Sequence, residues 1–175
     1  MDECESEESS GKEMWLLLLK GDTERLENYI NSHMKDVAEM LLYEDSTNGH
    51  ETNTCIELFI KKSEDVKWRE LLLERILEKV PASTQEQIIT SCDLKGRNAL
   101  HWAVRFNNMP VVQAFLGLLP KHLQTKAIEQ PDTWGRNSIQ WALRLNHSDI
   151  LSLLVNYIGL KSQASSPAKH FIAKT

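Results

Sequence analysis

Cysteine is scarce in this chain. Cys4, Cys55 and Cys92 are odd in number and widely spaced. That excludes a disulfide framework and a zinc-ligand pattern, and it fits a reducing compartment, cytoplasm or nucleus. Long apolar runs are missing as well. The longest, Met14 to Leu19, falls far short of the roughly 20 residues a membrane-spanning helix needs. It follows Lys12-Glu13 and an acidic leader, with no basic n-region or small-residue cleavage site, so no cleavable signal peptide is expected. Positive charge is not in excess. The 20 Lys and Arg are outnumbered by 25 Asp and Glu, for a net charge of -5, which argues against general nucleic-acid binding or membrane-surface binding. Reactive constellations are absent too. The six histidines are scattered without a His-x-x-x-His pair, and Gly11-Lys12 lacks the upstream glycine of a phosphate loop. Cys92 has no activating charge beside it and reads as an idle thiol. No cofactor, no metal and no catalysis are expected.

What the chain does contain is a repeat. Residues 93–103 read Asp-Leu-Lys-Gly-Arg-Asn-Ala-Leu-His-Trp-Ala, and residues 132–142 read Asp-Thr-Trp-Gly-Arg-Asn-Ser-Ile-Gln-Trp-Ala. A fixed period of this size marks a solenoid, in which each unit buries its apolar face only by stacking on its neighbours. Asp93 and Gly96 suit a tight turn, because Asp bonds its own downstream backbone and Gly tolerates positive φ. Leu100, Trp102, Ala103 and Val104 then form the apolar stripe of a short helix. Asn107-Asn108 break it, and Pro110 opens a second helix carrying Val111, Val112, Phe115 and Leu116. The next unit repeats the layout with Asp132 and Gly135, then Ile139, Trp141, Ala142 and Leu143, a break at Asn146, then Ile150, Leu151, Leu154 and Val155. Pro81 and Pro120 each open a connecting segment. Short extra helices are predicted over Thr84–Thr90 and Lys121–Ile128, with Ser83 and Glu86 as a capping box in the first.

Two looser units precede these. Lys12–Ile30 breaks at Gly21-Asp22 and carries Leu26 and Ile30 on its second helix. Thr54 to Phe59 begins the other, followed by a long helix from about Glu64 to Lys79 with Ser63 as N-cap. The stretch from Asp45 to Thr54 is polar and reads as a long mobile loop. Residues 1–10 hold five acids and three serines and are expected to form a disordered leader, and residues 161–175 a flexible tail. The organisation is thus a repeat domain over 11–160, with units at about 11–44, 45–80, 81–119 and 120–160. The fold class is an all-α helical solenoid of about four helix pairs, with short extra helices between the later ones.

The repeated segments resemble the ankyrin repeat, with its Asp-x-x-Gly-x-Thr-Pro-Leu-His-Leu-Ala signature. Asn98-Ala99-Leu100-His101-Trp102-Ala103 matches at the leucine, histidine and final alanine. In Asn137 to Ala142, Gln140 replaces the histidine, and Asn146-His147 stands where the family has Gly-His. The period is stretched, no Thr-Pro opens a first helix, and Phe59 occupies a position usually held by alanine. Stretched, divergent units of this kind resemble ankyrin proteins of intracellular bacteria or viruses, which implies a pathogen factor acting on a host protein. The resemblance also implies that His101 ties its turn to backbone groups, that Trp102 and Trp141 are core, and that partners bind the concave groove.

Mapped onto the groove, the variable positions are Leu19-Lys20, Lys61-Lys62, Arg105-Phe106 and Arg144-Leu145 at helix ends. Leu94, Lys95, Arg97, Thr133, Trp134 and Arg136 lie at turn tips. No acid appears in this set. Arginine and aromatic residues dominate interface energies, and arginine forks onto carboxylates. The expected function is therefore a protein-interaction module gripping an acidic, partly apolar segment of another protein. Two alternatives stand beside it. One is an inhibitor of a nucleic-acid-binding factor that uses the acidic leader as a phosphate mimic. The other is an accessory array of an enzyme.

Overall fold

The computed structural model describes residues 3–45 and 53–164. Four helix pairs follow one another along these residues. Their first helices are α1 (Glu3–Lys20), α4 (Cys55–Lys62), α7 (Ala99–Arg105) and α10 (Ser138–Arg144). Their second helices are α2 (Thr23–Ser32), α5 (Val66–Glu70), α8 (Met109–Leu118) and α11 (Ser148–Ala164). A short third helix follows each of the first three pairs: α3 (Val37–Leu42), α6 (Ala82–Thr90) and α9 (Lys121–Glu129). A two-residue antiparallel ladder, β1 (Glu44–Asp45) with β2 (Asn53–Thr54), enters α4. Helix α4 packs on α1, α7 on α4, and α10 on α7, so the first helices make one continuous layer. The fold is an all-α helical solenoid. Its core is a single buried cluster running from Met14 to Leu154.

Local chemistry sets the helix limits. Thr54, Asn98 and Asn137 cap α4, α7 and α10 by accepting the N–H of Glu57, His101 and Gln140. In the last two, the third helical residue returns a bond to the cap's own N–H, which completes a capping box. Gly21, Asn107 and Asn146 end their helices at φ 74, 53 and 61°. The N–H groups of Asn108 and His147 then reach back to Ala103 O and Ala142 O at 2.9 Å, the closure a left-handed residue allows. Gln85 Nε2 donates to Leu77 O and Val80 O, and Gln124 Nε2 to Leu116 O and Leu119 O. Each glutamine thus ties its short third helix to the end of the helix before it.

The structure departs from the sequence reading in several places. Helix α1 begins at Glu3, so the leader expected to be disordered is helical from there. Glutamate is a good helix former, and its charge is favourable at a helix N-terminus. The long helix expected over 64–79 is capped by Asp65 rather than Ser63, and it changes to π-helix over Leu71–Ile76 and 3₁₀ over Leu77–Lys79. Ser63 instead closes the end of α4, its hydroxyl donating to Ile60 O. Ser83 and Glu86 form no capping box, because α6 starts directly after Pro81 without a side-chain cap. Helix α3 was not anticipated. Leu143 and Val155, expected in the core, are 60% and 50% exposed. Val104 and Leu116, the residues 39 positions earlier, are fully buried, because α10 and α11 cover them; among the described residues no further pair packs on α10 and α11. Residues 161–164, expected in the flexible tail, continue α11; the rest of that tail and most of the polar loop expected over 45–54 lie outside the described residues.

Candidate functional site

Two aspartates build the turns that carry the turn-tip residues. Asp93 Oδ1 accepts the N–H of Lys95 at 2.8 Å and of Arg97 at 2.9 Å, and its Oδ2 takes Arg97 Nε at 2.7 Å. Asp132 repeats this with the N–H groups of Trp134 and Arg136 and with Arg136 Nε at 3.1 Å. It also accepts the indole N–H of Trp141 at 3.1 Å. Burial works to raise the Asp132 carboxyl, but the N–H groups of Arg136 and Trp134 and the side chains of Trp141 and Arg136 outweigh it and hold it below the usual carboxylate range. The two turns are stitched together. Thr133 N–H donates to Lys95 O at 2.9 Å, and Asn98 Nδ2 to Ala127 O at 3.0 Å. His101 accepts Asn98 N–H at Nδ1 and meets Arg136 O with Nε2 at 3.3 Å. It therefore has the structural role the sequence implied, and burial lowers its pKa.

Arginine and tryptophan alternate from one turn to the next. The Arg97 guanidinium lies 4.0 Å from the Trp102 ring centroid, and Arg105 lies 5.2 Å from Trp102 and 5.7 Å from Trp141. Arg136 lies 4.6 Å from Trp141 and 4.7 Å from Trp134. Every step is within the range of a cation–π contact. Phe106 extends this ladder by stacking on Trp102, with centroids 6.0 Å apart. Trp102 and Trp141 are buried as expected, and the ladder ends at Trp134, which is 58% exposed.

The structure thus brings together Arg97, Arg105, Phe106, Trp134 and Arg136, but in different environments. Arg97 is a correction: it is 5% exposed, spent on Asp93 and on the Trp102 face, and unavailable at the surface. Arg136 is half-buried and holds Asp132. Arg105 is half-buried, and Arg144 and Leu145 are exposed at the end of α10; neither arginine makes an ion pair among the described residues. Thr133 and Leu94 are exposed, and Lys95 is half-buried. Lys61 is exposed at the end of α4, while Lys62 Nζ sits 4.9 Å from the Trp68 ring, away from the ladder. Leu19 and Lys20 are exposed at the end of α1. Leu143, read from the sequence as part of a buried stripe, is 60% exposed beside Arg144, and Glu44, which the sequence reading passed over, accepts Leu94 N–H at the turn tip at 3.4 Å. The acidic partner of each turn arginine was visible as Asp-x-x-x-Arg at 93–97 and 132–136, a spacing that pairs charges across one turn.

Among the described residues, no helix is long and apolar enough to cross a membrane, and no cluster of His, Cys, Asp or Glu is arranged to hold a metal ion. Cys92 is exposed, with its thiol pKa raised, first by partial burial and then by Asp93. That leaves it a poor nucleophile at neutral pH. A family model described as ankyrin repeats (3 copies) matches residues 26–165. No curated protein matches the chain.

Proposed function

The chain belongs to the ankyrin-repeat family, whose repeats generally serve as non-enzymatic protein–protein interaction modules, and we propose that it grips an acidic, partly apolar segment of a partner protein along the line of first-helix ends and turns. The observation that carries this reading is the Arg–Trp ladder ending at exposed Trp134, with Arg105 within it making no ion pair among the described residues. Asp93 and Asp132 are committed to Arg97 and Arg136, so the charge left for a partner on this line is positive, from Lys61, Lys95, Arg105 and Arg144. An incoming carboxylate gains a forked bond at an arginine, and an apolar side chain gains the face of Trp134 or Leu145. The likeness of the stretched repeats to those of intracellular bacteria and viruses makes a host protein the partner class to try first.

The test uses the full chain as bait in eukaryotic lysate beside the double variant Trp134→Ala/Arg144→Glu. Both side chains are exposed, so the variant folds, which circular dichroism checks. Proteins retained by the wild type and lost with the variant are then purified and their affinities measured. A change below about threefold, about 0.7 kcal/mol, overturns the reading. Loss of binding on deleting residues 2–8, with the double variant unaffected, shifts the function to the acidic leader.

A further inference from the structure

Three polar atoms in one region are buried and have no hydrogen-bond partner among the described residues: Arg97 Nη2, Trp102 Nε1 and Glu44 Oε1. Arg97 is 5% exposed and Trp102 2% exposed. All three residues line a single cavity of about 130 Å³ between the β1–β2 ladder and the turn at 93–97. Leaving such groups unsatisfied is costly, because each has given up its bonds to water. The cost is avoidable, because Trp141, the counterpart of Trp102, does find an acceptor in Asp132. We propose that this cavity is a pocket for a primary carboxamide, the side chain of an Asn or Gln on the segment bound along the face described above.

The choice of ligand follows from the polarity of the walls. Arg97 Nη2 and Trp102 Nε1 can only donate, and Glu44 Oε1 can only accept. A carboxylate ligand offers acceptors to the two N–H groups but sets a like charge against Glu44. An ammonium satisfies Glu44 and leaves both N–H groups without an acceptor. A carboxamide has a carbonyl for the donors and an NH₂ for the carboxylate. The net charge of the lining is that of Glu44, which turns an anionic ligand away. Asp93 and Arg97 cancel each other at 2.7 Å, and the other Glu44 oxygen already accepts Leu94 N–H at 3.4 Å. Leu94, which also lines the cavity, is 76% exposed at its rim, where a bound chain would pass. The inference rests on the proposed binding face only for the origin of the amide.

The five tryptophans of the full chain give five indole N–H signals in a ¹⁵N spectrum, and Trp102→Phe assigns the one from Trp102. The probes are N-acetyl-glutamine methylamide, its asparagine analogue and N-acetyl-glutamate methylamide. Both amides are expected to shift the Trp102 signal saturably, with the glutamate probe weaker by about tenfold or more. Glu44→Gln is expected to erase most of that preference. A Trp102 signal that no amide saturates means a pocket holding water only, and overturns the proposal. Equal response to the glutamate probe, or a preference untouched by Glu44→Gln, also overturns it. The binding face is read separately, from the Trp134 signal with an acidic, phenylalanine-containing peptide. Failure of the pocket leaves that response in place, and failure of the face leaves the Trp102 response in place.

Discussion

The indole N–H of Trp141 donates to the carboxylate of Asp132 at 3.1 Å, while Trp102, one repeat earlier, buries its indole N–H without an acceptor among the described residues. Two tryptophans at the same place in their helices thus carry different polar roles. Replacing Trp141 by phenylalanine removes a donor from a buried carboxylate. Replacing Trp102 weakens packing and the cation–π contacts with Arg97 and Arg105, as replacing Trp141 does for Arg105 and Arg136, but it breaks no hydrogen bond among the described residues. Trp141→Phe is therefore expected to lose about 1 kcal/mol or more beyond Trp102→Phe. Urea midpoints at equal m-values measure the difference. The opposite order shows that the Asp132 bond adds no stability.

Gly96 and Gly135 stand at equivalent turn positions with φ of 72 and 74°. A Cβ at Gly96 would lie 3.3 Å from Asp132 Cα, in the backbone of the next turn, whereas at Gly135 it would meet nothing within 4 Å. Alanine strains both sites through φ, by about 1 kcal/mol or more. Only Gly96→Ala also pushes the two turns apart. Gly96→Ala is expected to be the more damaging of the pair, and native-state hydrogen exchange is expected to show early opening of Thr133 N–H, which bonds Lys95 O. Equal costs for the two variants would mean that the turn-to-turn contact is slack.

The same pair of turns shows how far the sequence could be read. Asp93, Gly96 and Trp102 and their partners 39 residues on, with Pro110 in one unit and the break at Asn146 in the other, were enough to place α7, α8, α10 and α11, because turn chemistry and apolar spacing are local. Exposure was not local. Val104 and Leu143 look alike in sequence, and their burial differs because a following unit covers only one of them. Arg97 looked like a surface residue until its partner Asp93 and the Trp102 face were both placed. Glu44 gave no signal at all, since its relation to Arg97 depends on how two units meet. The run from Leu71 to Ile76 has ordinary helical periodicity, and the wider π turn that it adopts leaves no mark in that spacing.

His101 makes stability depend on pH. Its folded pKa is lowered, with burial the largest cause, from an ordinary value of 6.5. The neutral ring accepts Asn98 N–H at Nδ1, and a proton there would remove that acceptor. Above the ordinary value both folded and unfolded chains hold a neutral ring. As pH falls below 6.5, the unfolded chain takes up the proton first, so the contribution of His101 is lost progressively down to its folded pKa. His101→Gln reproduces the capping box seen at Gln140 and lacks the titration. The variant is expected to be less stable by about 1 kcal/mol at pH 8, from the lost bond to Arg136 O. Its deficit should shrink between pH 7 and pH 5. A deficit independent of pH would show that the ring is not held neutral.

Arg97 and Arg144 separate what holds the fold from what meets a partner. Arg97 is paired to Asp93 with side-chain exposures of 6% and 2%, so Arg97→Ala strands a buried carboxylate. Its expected cost is about 3 kcal/mol or more, read from urea melts. Arg144 is exposed at the end of α10 without an ion pair among the described residues, so Arg144→Ala is expected to stay within about 0.5 kcal/mol of wild type. Binding should sort them the other way. At a temperature where both variants are folded, Arg144→Ala slows association with an acidic partner and flattens its salt dependence, because an exposed charge steers encounter. The double variant Arg97→Ala/Asp93→Asn removes the paired charges together and leaves the salt dependence of association unchanged, because the pair carries no net charge. Stopped-flow association rates across a salt series distinguish the two, and a flattened slope for the Arg97→Ala/Asp93→Asn variant with an intact one for Arg144→Ala would place the contact charge inside the turn instead of at the helix end.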